Sequence, residues 1–279
     1  MKRYGMVIDV DKCVGCYNCT LACRDEHAGN DHLPVSAAQP ATGGSWVKLQ
    51  VLERGSFPKV KVSHTPMLCL HCAQAPCVQA GEGAVYRRPD GIVIIDPVKA
   101  AGRRDLAAAC PHGVISWNEE RHLAQKCSFC AHLLDQGWKE PRCVEACPTG
   151  AMVFGDLNDP RSALSRLVSD EISSDLRPDL HLKPAVRYSA LPRRFLAGEI
   201  AFDDRWEEPA AGVTVILRRG SQEHAATTDS FGDFEFQGLE DAADYVLTVA
   251  HAGYKLRELP VHGGGDPNIG TIVLQHAKS

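Results

Sequence analysis

The sequence predicts an α+β chain in which short strands, cysteine loops and short helices repeat before a C-terminal all-β sandwich. Three observations predict this. All twelve cysteines lie between Cys13 and Cys147. Short apolar runs and Gly- or Pro-marked turns separate their loops. From about Phe195 the cysteines are gone, and short alternating strands follow one another as in a small sandwich.

In chain order, Met6 to Val10 (MVIDV) reads as a strand entering the first cysteine loop. Gly83 to Asp96 reads as a hairpin whose turn is Pro89-Asp90-Gly91. Gly113 to Cys127 reads as a second hairpin. The endings CPHGVI at Cys110 and CPTGAM at Cys147 are related, which suggests an internal repeat. Residues 1–157 therefore form one expected domain. Residues 158–194 read as a polar connector, with a helix over Ser162–Ile172 and an extended, Pro-punctuated run from Lys183 to Pro192. Residues 195–279 form the expected sandwich, with strands in GVTVILRR, TTDSFGDFEFQGL, YVLTVAHAGY and NIGTIVLQ.

With 279 residues, the chain has room for two domains of ordinary size. Its formal net charge is −5 and neither sign runs in long blocks, so nucleic acid and anionic membrane surfaces are poor partners. The opening MKRYGMVIDVDKC shows no export leader, and no apolar run is long enough to span a membrane. The expected setting is cytoplasmic, where thiols stay reduced and metal ligation is favoured over disulfides.

The first cysteine group is Cys13-x2-Cys16-x2-Cys19-x3-Cys23, the rhythm of the bacterial ferredoxin loop. Three thiolates of such a loop grip one cubane, and the fourth ligates the other cluster of a pair. The last group is Cys127-x2-Cys130-x12-Cys143-x3-Cys147, followed by Pro148. Alone it would also suit a zinc ribbon, but zinc has no need of the first group's rhythm or of the Cys-Pro endings. Exchange between the outer groups gives one [4Fe-4S] site of Cys13, Cys16, Cys19 and Cys147. A second takes Cys23, Cys127, Cys130 and Cys143.

Four cysteines remain: Cys69, Cys72, Cys77 and Cys110. Laid backward from Cys110-Pro111, the loop rhythm falls on Ala100, Arg103 and Leu106 rather than on cysteines. The group Cys69-x2-Cys72-x4-Cys77 likewise lacks a fourth cysteine near Gly81. All the ligands of one cluster are thus missing together, and the remaining four complete a third site. The count closes at three [4Fe-4S] clusters with no spare thiol. His64, His71, His112, His122 and His132 sit near the motifs and read as packing rather than ligands. Lys12 and Lys126, each just before a first cysteine, either offset cluster charge or are simply solvated. Arg103 reads as filling the lost ligand's place or making an ion pair. There is no Gly-rich nucleotide loop, dinucleotide fingerprint or nucleophile–base pair, so no catalytic residue is assigned.

The order of the groups, with Pro66–Cys77, Gln125–Leu134, Pro141–Ala151 and Phe154–Ser162, resembles the iron–sulfur β subunits of dimethyl-sulfoxide-reductase-type molybdopterin enzymes. Most of those carry sixteen cysteines and four clusters. With twelve, this chain is similar to the small subunits serving transhydroxylases and hydroxylases of polyhydroxylated benzenes. The sandwich resembles transthyretin-like and carboxypeptidase-regulatory-like domains through TTDSFGDFEF and Gly253-Tyr254. The resemblance implies a heterodimer whose large subunit carries molybdopterin guanine dinucleotide with molybdenum or tungsten and performs the chemistry. This chain would be its electron-transfer subunit. A free polyferredoxin, a zinc-stabilised binding protein and a respiratory subunit needing a separate membrane anchor are the rival readings.

Overall fold

The computed structural model describes residues 1–170 and 172–277. The chain divides into two compact units: residues 1–52 with 63–191, and residues 53–62 with the chain from 192 onward.

The first unit opens with strand β1 (Tyr4–Asp9) and helix α1 (Asn18–His27). Helix α1 has no ordinary apolar stripe. Its buried residues are Cys19, Cys23 and His27, spaced i, i+4 and i+8 on one face. A ribbon of β2 (Lys48–Ser56) and β3 (Lys59–Met67) follows, and its distal half, residues 53–62, belongs to the second unit. The sequence pattern marks no strand in this stretch, because most of its side chains are exposed and no buried face stands out. Next come α2 (Pro76–Ala80) and the hairpin β4 (Val85–Arg87) with β5 (Val93–Ile95). Its register pairs Val85 with Ile95, and Gly91 at φ 89° makes the expected turn. The second expected hairpin is β6 (Ser116–Asn118) with β7 (Leu123–Gln125). Helices α3 (Ala131–Asp135) and α4 (Arg142–Glu145) lead to β8 (Met152–Asp156), which runs antiparallel to β1.

The segment after β8 is more than a connector. Helix α5 spans Ala163–Ser169 and is capped by the Ser162 hydroxyl, which accepts from the Ser165 N–H. Glu171, within the expected helix, lies outside the described residues, as do residues 278 and 279 at the end of the expected sandwich. Strand β9 (Val186–Ser189) then pairs parallel to β1, completing the sheet β8-β1-β9. Val186 and Tyr188 are fully buried, and the Tyr188 hydroxyl donates to the Pro66 carbonyl at 2.9 Å. Met6, Ile8, Leu68, Ile94 and Phe129 share this core with the cysteines. Eight of the twelve cysteines are buried, so the thiols are core residues and not surface decoration.

The second unit is a sandwich of two sheets. One is ordered β13 (Asp233–Leu239), β10 (Arg194–Phe202), β16 (Asn268–Leu274). The other is ordered β12 (Gln222–Thr227), β11 (Thr214–Arg219), β14 (Tyr245–Val249), β15 (Arg257–Val261). Val215 and Leu217 on β11 and Leu247 and Val249 on β14 alternate inward and are fully buried. They meet Leu196, Ile200, Phe234 and Phe236 from the facing sheet. In the turn before β13, Gly232 has φ 88°, and a Cβ there would stand 2.7 Å from the Ile200 carbonyl oxygen. Only glycine suits that approach. Among the described residues, no helix is long and apolar enough to cross a membrane.

Candidate metal centres in the cysteine domain

All twelve cysteines are unpaired thiols. Electrostatic neighbourhood sorts them into three groups. Cys13 feels Cys147 and Cys16, and Cys19 feels Cys13 and Cys147. Burial raises the thiols of both Cys13 and Cys19. At Cys147 burial also raises the thiol, but the Thr149 hydroxyl and the N–H groups of Ala151, Thr149 and Met152 outweigh it and hold the group below its ordinary value. The residues after Cys147-Pro148 thus form a small nest of donors suited to a thiolate.

In the second group Cys143 feels Cys127, Cys130 and Cys23, while Cys127 feels Cys23 and Cys130. Burial pushes Cys23 up to about 11 and Cys130 to about 12, and drives Cys127 and Cys143 well above the ordinary thiol. The Gln39 amide donates to Cys23 Sγ at 3.4 Å, and the Phe129 N–H to Cys127 Sγ at 3.4 Å.

The third group surrounds one recess lined by Cys69, Cys72, Cys77 and Cys110 together with Val93, Ile115, Lys126 and Leu182. Burial lifts Cys72 to about 12 and Cys77 to about 11, with the other thiols of the group adding to both. The His71 N–H donates to Cys69 Sγ at 3.4 Å.

These groups also form a row. Cys19 acts on Cys23 and Cys143, linking the first and second, and Cys69 acts on Cys127, linking the second and third. Soft sulfur is the donor in each group, a donor type that suits iron–sulfur or zinc. Buried thiols that resist ionisation when alone surrender their protons to a metal, so loading such sites releases protons. The sulfur-directed N–H groups then stabilise the resulting thiolates. The residues present therefore fit iron–sulfur clusters.

Where a fourth set would stand, the structure is packed shut. Ala100 and Leu106 are fully buried. The Arg103 guanidinium donates to both Asp105 carboxylate oxygens (2.9 and 2.8 Å) and to the Ala80 carbonyl (2.9 Å). A Cβ at Gly81 would meet Val85 at 2.6 Å.

Residues 60–157 match the family model for a 4Fe-4S dicluster domain, and residues 202–275 that for a carboxypeptidase regulatory-like domain. The small subunit of pyrogallol hydroxytransferase from Pelobacter acidigallici is 40% identical over 98% of this chain and 100% of that protein. A sulfite dehydrogenase subunit from Allochromatium vinosum is 35% identical over 70% of this chain and 85% of its own. The arsenate respiratory reductase iron–sulfur subunit of Shewanella sp. (strain ANA-3) is 32% identical over 67% and 95%. The chain belongs to the iron–sulfur electron-transfer subunits of molybdopterin oxidoreductases.

In this electron-transfer subunit some residues near the thiols escape a reading by spacing alone. His27 is buried with Nε2 3.6 Å from Cys130 Sγ, and burial lowers it to about 3. Its position four residues after Cys23 on one helix was the available signal. Glu26, His32 and His132 also converge, with His132 Nε2 2.9 Å and His32 Nε2 3.7 Å from Glu26 Oε1. The two imidazoles stack 3.7 Å apart at 11°. An ion shared by both would lie far outside each ring plane, so this triad is a histidine stack hydrogen-bonded to Glu26 rather than a metal site. Among the histidines read as packing, His71 is buried with Nδ1 accepting from the Val93 N–H at 3.0 Å, a supporting role. Lys12 is largely exposed and pairs with Asp9 at 3.4 Å. Lys126 is buried.

Proposed function

We propose that this chain holds three [4Fe-4S] clusters: one on Cys13, Cys16, Cys19 and Cys147, one on Cys23, Cys127, Cys130 and Cys143, and one on Cys69, Cys72, Cys77 and Cys110. Bound there, such clusters would take and give single electrons. The chain's own part is to hold the sulfurs in a row, bury eight of them away from water, and direct N–H donors at the sulfurs. The partner is a large catalytic subunit carrying molybdopterin guanine dinucleotide with molybdenum or tungsten, and the heterodimer works in the reducing cytoplasm, where unpaired thiols persist.

The reaction we assign to that complex is hydroxyl transfer on polyhydroxylated benzenes of the pyrogallol type. The observation carrying it is the full-length similarity to the Pelobacter acidigallici small subunit, at 40% identity over the whole of that protein. Hydroxylation of resorcinol, with export of two electrons, is the second reading. The unbroken row of thiol groups favours it, since hydroxyl transfer between rings needs no net acceptor. The test is an anaerobic assay of the complex isolated through this chain, with pyrogallol or resorcinol, each with and without an artificial acceptor. Pyrogallol turnover without acceptor is the expected result. Turnover of resorcinol only with acceptor would replace the first reading by the second, and no turnover of either would remove both.

A further inference from the structure

Lys126 is 4% exposed and has no carboxylate partner among the described residues. Its ammonium donates to the Val93 carbonyl and, at 3.1 Å, to the Cys127 carbonyl. Two neutral carbonyls do not balance a buried charge, whose desolvation costs several kcal/mol unless a counter-ion is near. The same side chain lines the recess of Cys69, Cys72, Cys77 and Cys110. Its positive charge acts on Cys77 and on His71.

The surroundings are built to keep it there. Val93 on β5 receives Lys126 at its carbonyl and gives its N–H to His71 Nδ1 at 3.0 Å. His71, between Cys69 and Cys72, packs against Phe129, between Cys127 and Cys130, with the rings tilted at 33° and centroids 3.9 Å apart. Because Nδ1 accepts, the neutral ring carries its proton on Nε2, which is buried without a partner among the described residues. A cation and a turned-in donor thus stand where the second and third thiol groups abut.

We propose that Lys126 is the fixed counter-charge of the cluster held by Cys69, Cys72, Cys77 and Cys110, raising its reduction potential so that electrons settle at that end of the row. This rests on the cluster assignment above. A cluster bound by four thiolates is anionic and gains a further negative charge on reduction. A buried cation beside it favours the reduced form. One charge several Å away at an effective dielectric of about 20 changes that equilibrium about tenfold or more.

The test uses the anaerobic complex with Lys126→Met, Lys126→Gln and Lys126→Arg, measuring iron per chain and following an EPR-monitored redox titration. Lys126→Gln keeps a donor for the Val93 and Cys127 carbonyls but removes the charge. In Lys126→Met and Lys126→Gln one cluster should become harder to reduce by about tenfold, which for one electron is about 59 mV more negative. The others should move less, and Lys126→Arg should stay near the unaltered protein. Unchanged potentials with full iron in either neutral variant would overturn the proposal. If the neutral variants lose about four irons and Lys126→Arg keeps them, the charge holds the cluster rather than setting its potential, and the proposal falls. If Lys126→Arg also loses them, Lys126 acts by packing and the proposal falls. An unaltered protein without iron would instead sink the cluster assignment itself.

Discussion

Replacing Cys143 by serine is expected to remove about four of about twelve irons and to disconnect the two ends of the row. Cys143 is buried at 4% exposure and is surrounded by Cys127, Cys130 and Cys23. Serine offers a harder oxygen that stays protonated at neutral pH, a poor substitute for a soft thiolate toward iron. The second group stands between the other two, since Cys19 neighbours Cys143 while Cys69 neighbours Cys127. Changing an outer-shell partner of a metal ligand usually costs 10–100-fold. Losing a ligand of the middle site should lower electron transfer from the partner to an acceptor reached through this chain by more than about 100-fold on that scale. Iron analysis with stopped-flow reduction of the remaining clusters reads both effects. Full iron and unimpaired transfer in Cys143→Ser would mean that the second site is misassigned.

The sandwich should respond as strongly to one buried arginine. Arg194, 4% exposed at the start of β10, donates to the carbonyls of Ala243 (2.7 Å), His262 (2.8 Å), Gly265 (2.9 Å) and Glu240 (3.3 Å). It ties the turn before β14 and the loop after β15 to the strand between them. Its charge also lies over the Tyr245 ring, 5.9 Å from the centroid. Arg194→Met keeps much of the bulk but strands these carbonyls. The Ala243 carbonyl is the buried one, and left unpaired it costs about 1–3 kcal/mol. Hydrogen exchange in β11 and β14 should accelerate correspondingly, while iron per chain stays constant. Unchanged protection in those strands would mean that Arg194 is replaceable filler.

Much of this was legible in the sequence because metal ligation forces residue type and spacing together. The rhythm of Cys13 to Cys23, the Cys-Pro endings and the joint disappearance of one ligand set give the thiol groups without coordinates. Where that rhythm falls on other residues, Ala100 and Leu106 are buried and Arg103 donates to the Ala80 carbonyl. Pro89-Asp90-Gly91 gives its hairpin because turn chemistry is local. What escaped depends on distant pairing. Strand β9 reaches β1 across most of the domain, and its four residues include Arg187, so neither length nor pattern separates it from a connector. The β2–β3 ribbon shows too few buried side chains to announce a face. The sequence left Lys126 open between offsetting cluster charge and simple solvation. A lysine before a cysteine is ordinarily solvated, and only the packing of β5 and the third recess around it reveals a buried charge.

The part most open to direct contradiction is the number and kind of clusters. Iron, acid-labile sulfide and zinc should be quantified per chain in the anaerobically purified complex, with EPR of the reduced sample. Three cubanes predict about twelve irons and twelve sulfides, no zinc, and magnetic interaction between neighbouring reduced clusters. Zinc in place of iron, or about eight irons with four thiols free to alkylate, would contradict the account.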